Sequence, residues 1–191
     1  MNAQEGSLGG YMPGELSKKL VLCGNSAAAR KALHAAGARV VQLQIAKPTA
    51  DTVEKKRQSI PDLVIWAWIP IFSRRAASAA IECGCEPEDF WPCRFQTNPD
   101  EEFFLHLPLK VFNIVDVDKS TFKHILPLEP PIPTFIEKLG AKPLPEHLPP
   151  FFRAEIPGTD QVFGEIFVRD DFKLAWQRNA FAGADFRLLS T

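Results

Sequence analysis

Eight prolines fall within the 24 residues from Pro127 to Pro150. Proline locks φ and has no backbone N–H, so this stretch is barred from being a long helix or a central strand. What remains is a linker or an extended arm laid along the surface. Phe135, Ile136 and Leu139 place large apolar side chains in its middle, which predicts an arm that docks rather than one that swings. The arm, residues 127–150, precedes a last forty residues in which regular pattern returns.

Ahead of the arm, the period of the apolar residues marks the elements. Lys18–Cys23 reads as a short strand followed by a turn at Gly24-Asn25. Ser26–Ala36 is alanine-rich, with Asn25 or Ser26 as N-cap, Gly37 just past its end, and Ala29, Leu33 and Ala36 on a narrow buried face. Residues 39–46 alternate as a half-buried strand, and the charged residues 47–61 read as an exposed connection or short helix. A buried strand is predicted over 63–68, ending at Pro70, and Ser73 then caps a second alanine-rich helix to about Cys83. Glu86–Asp100, with Pro87, Pro92 and Pro99, reads as irregular. Phe103–Val117 reads as two strands broken near Pro108. Beyond the arm, Val162–Val168 reads as a strand and Asp170 as the N-cap of a helix carrying Phe172 and Trp176 on one face. Gly183 ends that helix, and Phe186–Leu189 closes as a strand. Strands and helices do not alternate cleanly. The pattern predicts an α+β fold, a mixed sheet with short helices, in a single domain over 1–191 that is undivided or formed as two lobes of about 1–100 and 101–191 sharing a core.

Composition excludes several classes. With 46% hydrophobic residues the chain can bury a core, so it is not intrinsically disordered. Lys and Arg number 22 against 23 Asp and Glu, a formal charge of −1, which argues against direct nucleic-acid binding. No apolar run approaches the roughly 18–20 residues of a membrane span. Met1–Gly14 is polar and glycine-rich and does not read as a secretory signal. Four cysteines are few for a disulfide scaffold. The expectation is a cytoplasmic protein with free thiols.

Candidate chemistry is sparse. Cys83-Gly-Cys85 with Cys93, joined by His106 only if the fold brings it near, is the most metal-like group. Its C-x-C spacing lacks the second close pair that structural zinc sites use, so reduced cysteines at a helix end are the simpler reading. Asp116 and Asp118, two apart at a strand end, would share a face and could hold a divalent cation. The competing reading is of aspartates accepting backbone N–H bonds where the chain turns into Lys119-Ser120-Thr121. His34, His106, His124 and His147 are scattered, and no nucleophile elbow, phosphate loop or dinucleotide fingerprint occurs. Neither catalysis nor a cofactor is expected. Acidic residues do cluster: Glu82, Glu86, Glu88 and Asp89 near Trp91, then Asp100, Glu101 and Glu102. Such runs are solvated faces or surfaces that steer a basic partner.

The later part of the chain carries an ordered set of signals: Phe103-Phe104-Leu105, then Val111 to Ser120, then Val162 to Lys173, then Phe181-Ala182-Gly183-Ala184-Asp185-Phe186. This order resembles the immunity protein family numbered eleven among bacterial polymorphic toxin systems, over about residues 103–189. Arg169 stands where that family often has Ser, and the proline arm is longer here. The resemblance implies a cytoplasmic antitoxin without catalytic activity, bound one-to-one to a cognate toxin, most simply a basic nuclease effector of a type VI secretion system. The acidic residues above and Trp91 are then the toxin-facing candidates. Asp116, Asp118, Ser120, Val168, Asp170, Phe172, Gly183 and Phe186 match motif positions and are expected to support the fold. Two other classes stay open: a small metal-dependent enzyme built on Asp116 and Asp118, and an adaptor whose proline arm docks into a groove.

Overall fold

A five-stranded mixed sheet separates two sets of helices in the computed structural model, which describes residues 16, 19–20, 22–43, 60–66, 68–96, 98–124, 133–159, 162–163 and 165–186. The strands are β1 (Val41–Leu43), β2 (Leu63–Trp66), β3 (Ile69–Ser73), β4 (Phe90–Phe95) and β5 (Asn98–His106), in the order β1-β4-β5-β3-β2. Only β1 runs parallel to its neighbour. The fold is α+β, as the sequence pattern predicts.

Side-chain alternation on these strands decides the layering. Ile69, Ile71, Cys93, Phe95, Phe103 and Leu105 face one side, where they meet Ala29 and Leu33 of α1 (Ser26–Ala35) together with Leu16 and Leu20. Leu63, Phe72, Phe90 and Phe104 face the other, against Ala76, Ala77 and Ala80 of α2 (Arg74–Glu82) and Phe172 and Trp176 of α3 (Asp170–Arg178). A third apolar cluster follows in the chain. Ile114, Val115, Ile136, Leu139, Phe152, Phe163 and Phe167 gather around two small antiparallel sheets, β6 (Thr121–His124) with β7 (Pro133–Lys138), and β8 (Phe151–Phe152) with β9 (Phe167–Val168). Phe151 faces the sheet and its neighbour Phe152 faces the third cluster, so one strand joins the two cores.

The helices α1, α2 and α3 end the same way. In each, the residue after the C-cap sits at positive φ: Gly37 at 61°, Gly84 at 109° and Ala180 at 51°. The next N–H reaches back to close a Schellman motif: Ala38 to Leu33, Cys85 to Ala80 and Phe181 to Trp176. At the starts of the first two, Asn25 accepts from the Ala28 N–H at 2.9 Å and Ser73 from the Ala76 N–H at 3.3 Å. These caps were legible in sequence for α1 and α2.

Several expectations are corrected. Lys18–Cys23 is not a strand: Leu16, Lys19, Leu20 and Leu22 are helical, with Leu16 and Leu20, four apart, buried and Leu22 exposed. Pro70 does not end a strand but lies inside β3, at a point where β3 has run past its ladder with β5 and keeps only β2 as a neighbour. Glu86–Asp100 is not irregular, since it holds β4 and the start of β5. Pro92 is tolerated there because the three-residue ladder with β1 begins one residue later, at Cys93. Phe103–Val117 holds the end of one strand, β5, and then only isolated bridges from Phe112 to Ala154 and Val115 to Ala141. Likewise Val162–Val168 is not one strand, but a bridge at Val162 and the two residues of β9. The N-cap of α3 is Arg169 rather than Asp170, and Ala180, not Gly183, takes the chain out of that helix. Expectations for residues 44–59 and 187–189, and for the Phe135 side chain, lie outside the described residues.

The proline arm is docked through Ile136 and Leu139, both buried, but part of it is the strand β7. A two-stranded sheet asks each strand for only one ladder, which proline at the strand's first residue allows. One end of this sheet is stapled by Ser120. Its hydroxyl donates to the Asp116 carbonyl at 2.6 Å and accepts from the Gly140 N–H at 2.9 Å. Gly140 is required, because a Cβ there would overlap Lys119. Ser120→Ala strands the Gly140 N–H and should cost about 1–2 kcal/mol, read as a lower urea midpoint at unchanged slope. Asp118→Ala, at an exposed turn position, should change stability by less than about 0.5 kcal/mol.

Candidate binding groove

The register of β2 on β3 dictates which backbone groups of the sheet edge face outward. Ser73 donates its N–H to the Asp62 carbonyl at 2.8 Å, and Leu63 pairs with Phe72, Val64 with Ile71 and Ile65 with Pro70. In an antiparallel pair, hydrogen-bonded and non-hydrogen-bonded couples alternate. Asp62, Val64 and Trp66 therefore point their backbone groups toward β3, while Leu63 and Ile65 point theirs away. At Leu63 the outward N–H is taken by the Ala182 carbonyl at 3.1 Å. The tail is pressed so closely there that only glycine fits at 183, where φ is 99° and a Cβ would overlap the Leu63 carbonyl.

Asp62 fastens this arrangement. Its carboxylate is buried and accepts from the Ser73 hydroxyl at 2.7 Å, from Arg75 Nε and Nη2 at 2.6 and 2.5 Å, and from the Ala182 N–H at 3.0 Å. Burial opposes its charge, but the donors from Arg75, Ser73 and Ala182 outweigh that and hold its pKa below the ordinary carboxylate value. The Arg75 guanidinium also lies over the Phe181 ring at 4.9 Å. One carboxylate thus ties the start of β2, the start of α2 and the chain that follows α3.

Between this tail and the small sheets opens a groove of about 450 Å³, within the range of sites that hold small molecules or side chains of a partner. Phe172 and Trp176 of α3 form its floor, with Phe151 beside them. Ile65, 45% exposed, and Phe186 also line it, as do Ile136 of β7 and Leu139 just past that strand. Among the described residues its polar lining is Glu137, Glu165 and Asp185 against one cation, Lys138. Glu165 accepts from the Ile136 N–H at 3.0 Å through Oε1, while Oε2 is shielded with no hydrogen-bond partner among those residues. The arrangement offers apolar burial, an acidic balance and a bare stretch of sheet edge. That combination can bind; among the described residues it brings no nucleophile and base together.

The sequence-derived candidates fall elsewhere for the most part. Glu82, Glu86 and Glu88 are exposed around the end of α2 and the turn at 87–89. Asp89 is paired with Arg30 at 2.7 Å, and burial raises its pKa despite that partner. Asp100 and Glu101 are exposed, and Glu102 pairs with Arg74 at 2.5 Å. Because Phe90 pairs with His106 and Phe95 with Asn98, the two acidic groups sit at opposite ends of the β4–β5 hairpin and do not form one patch. Trp91 packs on the α1 side, edge-on to His34 at 5.0 Å, with its indole N–H shielded and unpartnered among the described residues. Of the motif positions, Phe172 and Gly183 shape the groove, Phe186 and Val168 line it, and Asp170 is exposed on the first turn of α3.

The two metal readings fail on geometry. Cys83, Gly84 and Cys85 are the C-cap and the two following residues of the α2 Schellman motif, so the C-x-C spacing comes from helix termination. Cys85 and Cys93 lie in clusters on opposite sides of the sheet. Burial pushes the Cys85 thiol up to about 12 and raises Cys93 further, so neither is a thiolate at neutral pH. Asp116 and Asp118 lie around a 3-10 turn, Val117–Lys119, rather than on a strand face, and Asp116 is paired with Lys119 at 3.1 Å. Among the described residues no three His, Cys, Asp or Glu stand close enough to share a metal ion. Among them, too, no helix is long and apolar enough to cross a membrane. No protein-family model and no curated protein matches this chain.

Three polar groups escaped sequence reasoning. Asp62 had one usable signal, its position eleven residues before a helix-capping Ser73 followed by Arg74-Arg75. Arg153 is 2% exposed, donates to the carbonyls of Trp68 and Phe163, and is pulled down to about 10 by burial, with Glu165 opposing that shift. His106 is caged by Phe90 and Phe151, with ring centroids at 5.0 and 4.9 Å, and by Phe72 at 5.8 Å, and its Nδ1 has no partner among the described residues. Burial, with the charges of Arg153 and Arg30, pulls its pKa down to about 3. The unfolded chain therefore binds a proton at this residue between about pH 6.5 and 3 that the folded chain refuses, and stability falls as pH drops through that window. Its share should be about 2 kcal/mol lost from pH 7 to 5. Urea unfolding at the two pH values checks this, and His106→Leu should remove that part of the difference.

Proposed function

We propose that this chain is an immunity protein: a non-enzymatic binder that neutralises one cognate antibacterial toxin, a nuclease effector of a type VI secretion system, in the cytoplasm. The observation that carries the reading is the order of the sequence signals at residues 103–105, 111–120, 162–173 and 181–186. They resemble those of the immunity family numbered eleven. The last two of these segments meet along one groove, through Val168, Phe172, Gly183 and Phe186.

Two further features support a binder. The groove is an apolar concavity with an acidic balance, and Glu82, Glu86 and Glu88 stand exposed elsewhere on the surface. Both would meet a basic protein favourably, since complementary potentials speed encounter and select the partner. Asp89 and Glu102 contribute less, because their charges are matched by Arg30 and Arg74.

The test is genetic and then kinetic. The reading expects a toxin-like open reading frame beside this gene; bacteria expressing that frame should stop growing, and co-expression of this chain should restore growth with a one-to-one complex recovered. Equal growth with and without the chain would end the proposal. If exposed carboxylates steer the encounter, Glu86→Lys with Glu88→Lys should slow association at low salt with little change in dissociation. Added salt should slow association of the unaltered chain in the same way.

A further inference from the structure

We propose that the bare edge of β2 at Ile65, with the groove beside it, is a strand-addition site: it takes an extended segment of a partner protein that alternates apolar and basic side chains. The inference deepens the binding role above by naming the element of the partner that is gripped, and it rests on that reading only for which protein supplies the segment.

Three independent observations converge on Ile65. First, β2 is the last strand of the sheet, and the alternation of its ladder turns the N–H and C=O of Ile65 outward. Among the described residues the tail covers this edge only at Leu63, through Ala182, and none of them takes the next outward pair of backbone groups. Exposed edges are templates for another strand, and proteins that do not use them blunt them with charge, proline or a bulge. Here the residue on the open edge is isoleucine. Proline stands opposite it in β3, where it has no bearing on the outer side.

Second, the face of β2 that carries the Ile65 side chain continues into the groove floored by Phe172 and Trp176. A strand laid along the edge places every second side chain on that face, so its apolar residues would drop into the groove while the others point away. Backbone hydrogen bonds to Ile65 and side-chain burial then act together, and neither alone would specify a segment. Third, charge selects among extended segments. Among the described lining residues Glu137, Glu165 and Asp185 face one Lys138, a balance of two negative charges, and neither Glu137 nor Asp185 has an ion-pair partner among the described residues. A basic side chain on the incoming strand is favoured over an acidic one.

The test titrates the full-length chain with three synthetic hexapeptides: one alternating valine and lysine, its glutamate twin, and a version with proline at alternate positions that lacks the donors for a ladder. Amide hydrogen exchange at Ile65 is followed alongside affinity. The valine–lysine peptide should bind saturably and protect the Ile65 N–H, and the other two should bind at least about tenfold more weakly. Ile65→Pro removes the outward donor without breaking a bond to β3, and should abolish binding while the thermal midpoint is retained. Should that variant not fold, Glu137→Lys with Asp185→Lys tests the same site from its surface, and should remove the preference for lysine over glutamate. The proposal is overturned if binding survives Ile65→Pro in a folded protein, or if the paired charge reversal leaves the preference intact. It is overturned equally if the Ile65 N–H is already protected without peptide. A chain ending at Phe186 and a dilution series then tell whether residues 187–191 or a second copy occupies the edge. None of these measurements needs a toxin. Peptide binding without growth rescue would sink the immunity reading alone, and rescue without peptide binding would sink this one.

Discussion

The buried carboxylate of Asp62 holds together parts of the chain that are far apart in sequence. It accepts from the hydroxyl that caps α2, from the Arg75 guanidinium in the first turn of that helix, and from the backbone of Ala182, 120 residues on. A buried charge is tolerated only when its lone pairs are met by donors, and here four donors meet them. The consequence is positional. With Ala182 fixed to Asp62 and Leu63, Gly183 must pass over the Leu63 carbonyl, and the residues after it form one side of the groove. The site's shape is a by-product of satisfying one acid.

Around this point the sheet sorts side chains by parity. On β4 and β5, neighbouring residues serve different helices, and the same alternation carries His106 into an aromatic cage with Phe72, Phe90 and Phe151. The cage admits a neutral imidazole and penalises a charged one. Its neutrality is enforced further by Arg153, whose own charge is accommodated by the carbonyls of Trp68 and Phe163. Phe151 closes the cage from the small sheets, so the two cores meet through rings as well as through the Arg153 guanidinium.

Much of the fold was legible where local chemistry decides. Asn25 and Ser73 announce helix starts because a short polar side chain can meet the first free N–H groups, and Gly37 and Gly84 announce ends because glycine enters positive φ without strain. Ala180 was illegible by that rule, since the ring contact of Phe181 on Trp176 at 5.1 Å accompanies a helix end with no glycine in it. The prolines misled in a consistent way. Pro70, Pro92 and Pro133 look like strand breakers, yet each lies where the strand lacks a neighbour on one side or begins. Whether a proline breaks a strand depends on how many ladders that residue must serve, and a sequence does not state its neighbours. The C-x-C spacing misled for the opposite reason: a metal-like pattern is produced by the arithmetic of helix termination.

The sequence by itself determined the class of fold, the two alanine-rich helices with their caps, the apolar face of α3 and the docking of the proline arm. These follow from periodicity and from backbone preferences that act over a few residues. Only the tertiary structure decided that the acidic residues divide between two ends of a hairpin, that Asp62 and Arg153 are buried, and that a bare edge at Ile65 lies beside an apolar groove. Each depends on which strands become neighbours and which way their backbone groups point. Those choices are made by contacts between residues dozens of positions apart, where local patterning carries no information.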